Sequence, residues 1–296
     1  MILLLNEVKK LHFVNAKSIL SAKNGMNVYR GCLHGCIYCD SRSDCYNMQH
    51  KFEDIEVKQN APELLEKALR AKRRRCVIGT GAMSDPYLPL EKDLKITQKC
   101  LEIIENYGFG AAVLTKSDLI MRDIDLLERI NNSAKSVVQM TLTTADDELC
   151  GIIEPNVCNS TRRAEVLCEM KKRGIPTVVW LTPLLPFIND TVENLAKLLE
   201  MAADAGVYGI VTFGMGLTLR SGDREYFYAA LDRHFSGLRE KYSRTYGNRY
   251  DLPSPNNDKL WRYFTEFCDK YGIKHNQGEI FSFMKTIDEP EQLTLL

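Results

Sequence analysis

The stretch YRGCLHGCIYCDSR, residues 29–42, carries three closely spaced cysteines, Cys32, Cys36 and Cys39. Thiolates are soft ligands, which favour iron–sulfur clusters or zinc over magnesium or calcium. The spacing lets three thiolates bind three corners of one iron–sulfur cube, so the fourth iron stays open to other ligands. The stretch therefore predicts a [4Fe–4S] cluster, and the reaction would take place at its open iron.

A zinc site is the alternative use of these cysteines. A structural zinc site normally has four protein ligands, and His34 or Cys45 is available as the fourth. Such sites usually consist of two paired ligand sets, and no second pair follows the three cysteines. We therefore favour the iron–sulfur cluster, and zinc stays open as an alternative.

Composition and charge limit the classes of partner. Lys plus Arg equals Asp plus Glu at 39 each, so no net field attracts the chain to nucleic acid or to an anionic membrane. A nucleic-acid substrate is compatible with a local basic patch, but the charge does not indicate one. The apolar run MILLL, residues 1–5, is too short for a signal peptide or a membrane span. We expect a cytoplasmic protein whose cysteines stay reduced.

Six short apolar runs, rich in β-branched residues, have the pattern of buried strands. They are Met26–Arg30, Cys76–Gly81, Ala111–Thr115, Val137–Thr143, Thr177–Thr182 and Gly209–Gly216. Amphipathic helical patterns lie between them, and such alternation with short links predicts a parallel sheet. The expected fold is α/β, a partial (β/α)6 parallel barrel. The cysteine run falls at the carboxyl end of a strand, where barrels of this kind build their sites.

The alternation of strands and helices stops near Ser221, and the sequence that follows has helical patterns rich in aromatic residues. We expect a barrel core with an N-terminal lead-in over residues 1–220. A C-terminal helical extension over residues 221–296 would cap this barrel.

The cysteine run, with Tyr38 directly before its third cysteine, resembles that of the radical S-adenosylmethionine (radical SAM) superfamily. Three further sequence segments resemble the spore photoproduct lyase-like branch of that superfamily. This branch is also called DNA repair photolyase-like. The segments are GTGAMSDPYLPLE (residues 79–91), VLTKS (113–117) and RTYGNRYDLPSPN (244–256). The resemblance covers nearly the whole chain. It implies a barrel of the radical SAM type, a [4Fe–4S] cluster on the three cysteines, and S-adenosylmethionine chelated at the open iron.

The same resemblance implies which residues contact S-adenosylmethionine. Ser84, after the second strand, and Lys116, after the third, would hold its amino and carboxylate ends. Asp85, next to Ser84, is also placed to meet the ammonium group. Further contacts would come from Tyr38 and Thr182, to the adenine, and from the hydroxyl of Thr141 or Thr143, to the carboxylate.

The sequence departs from the lyase at two positions. The lyase donates a hydrogen atom from a cysteine two residues before the serine, and Ala82 stands there in this chain. The lyase also has a tyrosine directly after its third cluster cysteine, where this chain has Asp40. We therefore expect a different substrate.

These observations predict a radical SAM enzyme that reductively cleaves S-adenosylmethionine to a 5′-deoxyadenosyl radical. The resemblance implies an external one-electron reductant of the flavodoxin or ferredoxin type. Two alternatives stay open. One is an iron–sulfur electron-transfer or sensory protein that does not cleave S-adenosylmethionine, and the other is a zinc-stabilised nucleic-acid-binding module.

Overall fold

The computed structural model of the chain describes residues 11–287, so the N-terminal apolar run lies outside the described residues. Its strands are, in chain order, β1 (Leu11–Val14), β2 (Gly25–Met26), β3 (Tyr29–Arg30), β4 (Ile55–Lys58), β5 (Val77–Thr80), β6 (Gly110–Thr115), β7 (Ser136–Thr141), β8 (Thr177–Trp180), β9 (Gly209–Val211), β10 (Gly216–Thr218) and β11 (Asp251–Pro253).

The helices alternate with these strands through the first two thirds of the chain and follow one another in the last third. They are α1 (Ala61–Arg70), α2 (Glu91–Leu94), α3 (Ile96–Asn106), α4 (Ile124–Ser133), α5 (Asp147–Ile153), α6 (Ser160–Lys172), α7 (Val192–Asp204), α8 (Asp223–His234), α9 (Leu238–Tyr246), α10 (Asn257–Tyr271) and α11 (Gln277–Phe283). Within residues 11–287, no helix is both long and apolar enough to cross a membrane.

The central sheet has six parallel strands in the order β2-β5-β6-β7-β8-β9. Each strand of this sheet pairs with the strand of the sheet that comes before or after it along the chain. One face of the strands packs on the surrounding helices through side chains such as Val113 and Val138. Every residue of β7 is buried, as expected for a parallel strand covered on both faces. The predicted α/β partial barrel is confirmed, with β5, β7, β8 and β9 shorter than the sequence indicated and β6 one residue longer.

The lead-in run Met26–Arg30 is not one strand, as predicted, but two. Met26 ends β2 in the barrel, whereas Tyr29 and Arg30 form β3 in a separate three-stranded sheet of order β1-β4-β3. The chain leaves the barrel because β4 offers it a second set of backbone partners, and the Lys58 N–H donates to the Val28 carbonyl at 3.1 Å. This small sheet holds the chain directly before the cysteine loop.

The last third of the chain contacts the barrel at several places. Helix α10 packs beside α7 and adds Leu260 and Phe264 to the main core. Helix α11 packs on β9, and its Ile280 lies beside Gly209, the first residue of that strand, so the helix lies near the amino ends of the strands. Helices α8 and α9 pack in a separate core with Ile37 of the cysteine loop. The boundary between residues 220 and 221 stays a prediction.

Candidate functional site

A cavity of about 610 Å³ opens at the carboxyl ends of the barrel strands. The cysteine loop forms one wall. The carboxyl ends of β6, β7 and β8 and the segments that follow β5, β6, β8 and β9 form the others, together with β10 and β11. Of the predicted site residues, Cys32, Cys36, Cys39, Tyr38, Ser84, Asp85, Lys116, Thr141 and Thr182 line it. The fold thus brings together residues that are up to 150 positions apart (182 − 32).

Thr143 is the predicted site residue that does not line this cavity. Its side chain is fully buried, and its hydroxyl has no hydrogen-bond partner. Its carbonyl accepts from the side-chain amides of Asn189 at 2.8 Å and Asn194 at 3.2 Å. Between the two hydroxyls that the sequence left open, Thr141 is therefore the one beside the cavity.

The cysteine loop is fixed by backbone contacts. Gly31 precedes it with a φ of 89°, and a Cβ at this position would lie 2.5 Å from the carbonyl oxygen of Phe52. Only glycine fits such a conformation without strain. The next residue, Cys32, donates its N–H to the same carbonyl at 3.1 Å, and Ile37 donates to the Ile153 carbonyl at 3.0 Å. Both ends of the loop are thus tied to neighbouring segments.

Burial disfavours the thiolate form of two of the three cysteines. It raises the pKa of Cys32 to about 12, with a further contribution from the Asp85 carboxylate. It also raises the pKa of Cys36 well above the usual thiol value, which Lys116 partly offsets. Thiolates at these positions therefore need additional positive charge close by, and a bound metal group supplies such charge.

Asp85 organises the polar side of the cavity. Its carboxylate accepts the Lys116 N–H at 2.9 Å, the Thr115 hydroxyl at 2.7 Å and the Tyr87 N–H at 2.8 Å. The Nδ1 of His34 lies 3.4 Å from the same carboxylate. Asp85 therefore uses most of its acceptor capacity within the protein and fixes the turn after β5 against the end of β6.

Ser84 and Lys116 differ in how the protein holds them. The Ser84 hydroxyl donates to the Gly31 carbonyl at 2.6 Å, which joins the turn after β5 to the cysteine loop. The Nζ of Lys116 lies 5.9 Å from the centroid of the Tyr38 ring, within cation–π range. Lys116 thus brings a positive charge to the wall of the cavity next to the cysteines.

A buried ion pair under this wall was not predicted from the sequence. Arg163 on α6 pairs with Glu154, which directly follows α5, and both side chains are fully buried. Glu154 accepts the hydroxyl of Tyr38, and Arg163 donates to the Thr141 carbonyl at 3.1 Å. Burial raises the pKa of Glu154, against the opposing effect of the Arg163 guanidinium. The pair links the cysteine loop to the end of β7.

Aromatic side chains line the far side of the cavity, also without a prediction from the sequence. Trp180 ends β8 and donates its indole N–H to Gln139 at 2.9 Å. Phe213 follows β9, is 62% exposed, and has its ring centroid 5.7 Å from that of Trp180. The sequence signal that could have identified these two aromatic residues as cavity residues is their position at the carboxyl ends of predicted strands. Ala82 also lines the cavity, so the position without a thiol faces its interior.

Comparison with known proteins identifies the family. The Radical SAM superfamily model matches residues 26–199. An uncharacterized protein of Mycobacterium tuberculosis is 28% identical over 254 residues, which is 84% of this chain and 74% of that protein. An uncharacterized protein of Methanocaldococcus jannaschii is 31% identical over 187 residues, 62% of this chain and 69% of that protein. A protein of Pseudomonas phage M6, named radical SAM Nalpha-GlyT isomerase, is 25% identical over 175 residues, 59% of this chain and 35% of that protein.

Solved structures of spore photoproduct lyase share the fold. A complex of the lyase with dinucleoside spore photoproduct superposes with a TM-score of 0.64 at 12% identity, covering 90% of this chain and 80% of the lyase chain. A double mutant of the lyase with bound S-adenosylmethionine and the same photoproduct gives a TM-score of 0.59 at 12% identity, over 84% and 74% of the chains. The chain thus belongs to the radical SAM superfamily, which uses a [4Fe–4S] cluster and S-adenosylmethionine and whose members are typically enzymes.

Proposed function

We propose that this chain is a radical SAM enzyme that holds a [4Fe–4S] cluster on Cys32, Cys36 and Cys39 and reductively cleaves S-adenosylmethionine. The observation that carries the proposal is the convergence of three thiols and a lysine on one cavity at the carboxyl ends of the strands. All ten cysteines are free thiols, and only these three line the cavity among residues 11–287. Three soft ligands without a fourth cysteine suit a cluster with one open iron.

The spacing of the sulfur atoms favours this cluster over zinc. In the described part of the chain, the three sulfurs do not all lie within 4.8 Å of one another. Two sulfurs on one tetrahedral zinc would be about 3.8 Å apart, since each Zn–S bond is about 2.3 Å. A cubane distributes its thiolates over three different irons, so it accepts a wider triangle of ligands. His34, the candidate fourth zinc ligand, is instead directed at Asp85.

The other predicted residues are proposed to position S-adenosylmethionine. Lys116 would pair with the carboxylate of S-adenosylmethionine, because the lysine ammonium group lies at the cavity wall beside the cysteines. Ser84 and Asp85 would meet its ammonium through their remaining acceptor capacity. The other proposed contacts come from the ring of Tyr38, the hydroxyl of Thr141 and the backbone at Thr182, with Thr143 as the fully buried alternative to Thr141.

Cys32, Cys36 and Cys39 would hold the cluster, which when reduced would supply the electron for cleavage of S-adenosylmethionine into methionine and a 5′-deoxyadenosyl radical. The protein's part is placement and the exclusion of water. The walls of the cavity hold a substrate close to the cofactor site, and Trp180 and Phe213 add apolar surface for it. The electron would come from an external reductant of the flavodoxin or ferredoxin type.

We propose a substrate reaction that does not depend on a protein thiol. Ala82 faces the cavity where the lyase carries its hydrogen donor, and its methyl group has no labile hydrogen. Cys45 and Cys76 do not line the cavity. The relative from Pseudomonas phage M6 is named an isomerase, and in an isomerisation the hydrogen atom taken from the substrate can be returned to it from 5′-deoxyadenosine, without a protein thiol. A substrate different from that of the lyase is consistent with the alanine at position 82, with the absence of Cys45 and Cys76 from the cavity lining, and with the name of the phage relative.

The test is anaerobic reconstitution with iron and sulfide, followed by dithionite and S-adenosylmethionine. We expect release of 5′-deoxyadenosine from the wild type and loss of this product in Cys36→Ala. Cys76→Ala is the matched control, because that thiol is outside the cavity, and it should keep the activity. A brown protein that releases no 5′-deoxyadenosine would support an electron carrier instead. Stoichiometric zinc without visible absorption, lost in Cys36→Ala, would support a zinc module on the cysteines.

A further inference from the structure

Three potential metal ligands meet on the small sheet, outside the cavity. Strands β1 and β4 run parallel, and His12 on β1 is the register partner of Glu56 on β4. His50, in the loop before β4, places its ring centroid 4.7 Å from that of His12. One ligand atom of each residue lies within 4.8 Å of the others. The cluster contains none of the residues assigned above to the iron–sulfur site.

The hydrogen bonding of His50 shows which nitrogen is available. Its Nδ1 lies 3.0 Å from the carbonyl oxygen of Lys51, and a carbonyl can only accept, so Nδ1 carries the hydrogen. The Nε2 then presents its lone pair. This atom is buried and has no hydrogen-bond partner. A backbone carbonyl that holds one ring nitrogen is the usual arrangement around a histidine that binds metal through the other.

The Nε2 of His50 faces the carboxylate of Glu56, with 3.8 Å between the nitrogen and Oε2. A lone pair and a carboxylate repel each other unless a cation lies between them. A proton on Nε2 would give a charge-assisted hydrogen bond of about 2.7–2.9 Å, which is much shorter than this separation. Ligands on one tetrahedral zinc would be about 3.4 Å apart, given bonds of about 2.0–2.2 Å, so a small movement closes the site.

We propose that His12, His50 and Glu56 bind a zinc ion. Two imidazoles and one carboxylate suit zinc among the divalent cations, and three protein ligands leave a fourth position for water. The ion would tie β1 to the loop that contains Phe52, whose carbonyl accepts the N–H of Cys32. Its role would be to stabilise the support of the cysteine loop.

The binding test uses the reconstituted, cluster-containing protein, in which the three cysteines of the loop are already occupied. Titration calorimetry with Zn²⁺ should show one site in the wild type and at least about tenfold weaker binding in Glu56→Gln and His50→Ala. Glu56→Gln keeps the shape of the side chain, so it separates loss of the site from loss of folding. His275→Ala is the matched control, because His275 pairs with Asp269 at 2.9 Å and is not part of the cluster, so zinc binding should be unchanged.

The identity of the ligands is tested by X-ray absorption at the zinc edge. We expect nitrogen and oxygen ligands at about 2.0–2.2 Å, with histidine scattering and no sulfur at about 2.3 Å. A sulfur shell, or binding that is unchanged in both Glu56→Gln and His50→Ala, would overturn the proposal. The count of inorganic sulfide is measured on the same samples, so failure of this site is distinguishable from failure of the iron–sulfur site.

Discussion

Arg163 Nη1 lies 2.5 Å from Oε2 of Glu154, and neither side chain has any exposed surface. The pair is also bonded at both ends, since Glu154 accepts the Tyr38 hydroxyl and Arg163 donates to the Thr141 carbonyl. It therefore fixes the cysteine loop relative to the end of β7. A buried charge pair with such partners is costly to break from one side, because the remaining charge stays in the interior.

Glu154→Gln should lower the free energy of unfolding by about 3–5 kcal/mol, because it leaves the Arg163 guanidinium buried without a counter-charge. Urea unfolding of the wild type and the variant measures this difference. Asp232→Asn is the matched control, because it removes an exposed ion pair with Arg239 and should cost only about 0–1 kcal/mol. Equal effects of the two substitutions would contradict the structural role of the buried pair.

Lys116→Ala should weaken the binding of S-adenosylmethionine about ten- to hundredfold, since a charged hydrogen-bond partner contributes about 1.5–3 kcal/mol. Iron and sulfide content should not change, because Lys116 is not a proposed cluster ligand. Equilibrium binding to the anaerobic, reconstituted protein measures the effect. Lys99→Ala, on the exposed surface of α3, is the control and should bind as the wild type does. Unchanged binding in Lys116→Ala would show that the carboxylate is held elsewhere.

Spore photoproduct DNA should not be converted efficiently to thymine by this protein under reducing, anaerobic conditions with S-adenosylmethionine. The reason is that Ala82 stands in the cavity where a hydrogen-donating thiol would be required. Chromatography of the digested DNA measures the product. Efficient repair by the wild type would mean that the hydrogen source lies at another residue.

Asp223→Asn should remove a pH-dependent component of stability. Burial raises the pKa of Asp223 to about 6, above the ordinary value of 3.8. A raised folded-state pKa means that the folded protein binds the proton more tightly, so this residue stabilises the fold at low pH. That contribution is present below about pH 3.8 and is lost as the pH rises through about 6.

The stability of the wild type relative to Asp223→Asn should therefore fall between about pH 4 and pH 6 and stay level above that range. Urea unfolding at several pH values measures the difference. A difference that is constant with pH, or that rises over this window, would be inconsistent with a buried, proton-binding Asp223.

The barrel could be predicted because buried parallel strands are short apolar runs, as in GAAVLT of β6. The positions of Ser84 and Lys116 followed from the same logic, since residues after parallel strands meet at one end of the sheet. The small sheet was not predicted. Its strands, such as LHFV and IEVK, are four residues long and mix polar with apolar residues, so they carry only a weak pattern.

The ion pair of Glu154 and Arg163 was missed for a different reason. Charged residues are seldom fully buried, so a glutamate after one helix and an arginine in the next are expected at the surface. Their burial arises from the packing of α5 and α6 against the cysteine loop and β7, which no local pattern encodes. The same holds for His12 and His50, which come together only through the pairing of β1 with β4.

The most direct test of the central claim is the content of iron and acid-labile sulfide in protein prepared without oxygen. We predict about four irons and four sulfides per chain at the cysteine loop, lost when Cys32, Cys36 or Cys39 is replaced by alanine. Protein that contains no inorganic sulfide would contradict the account.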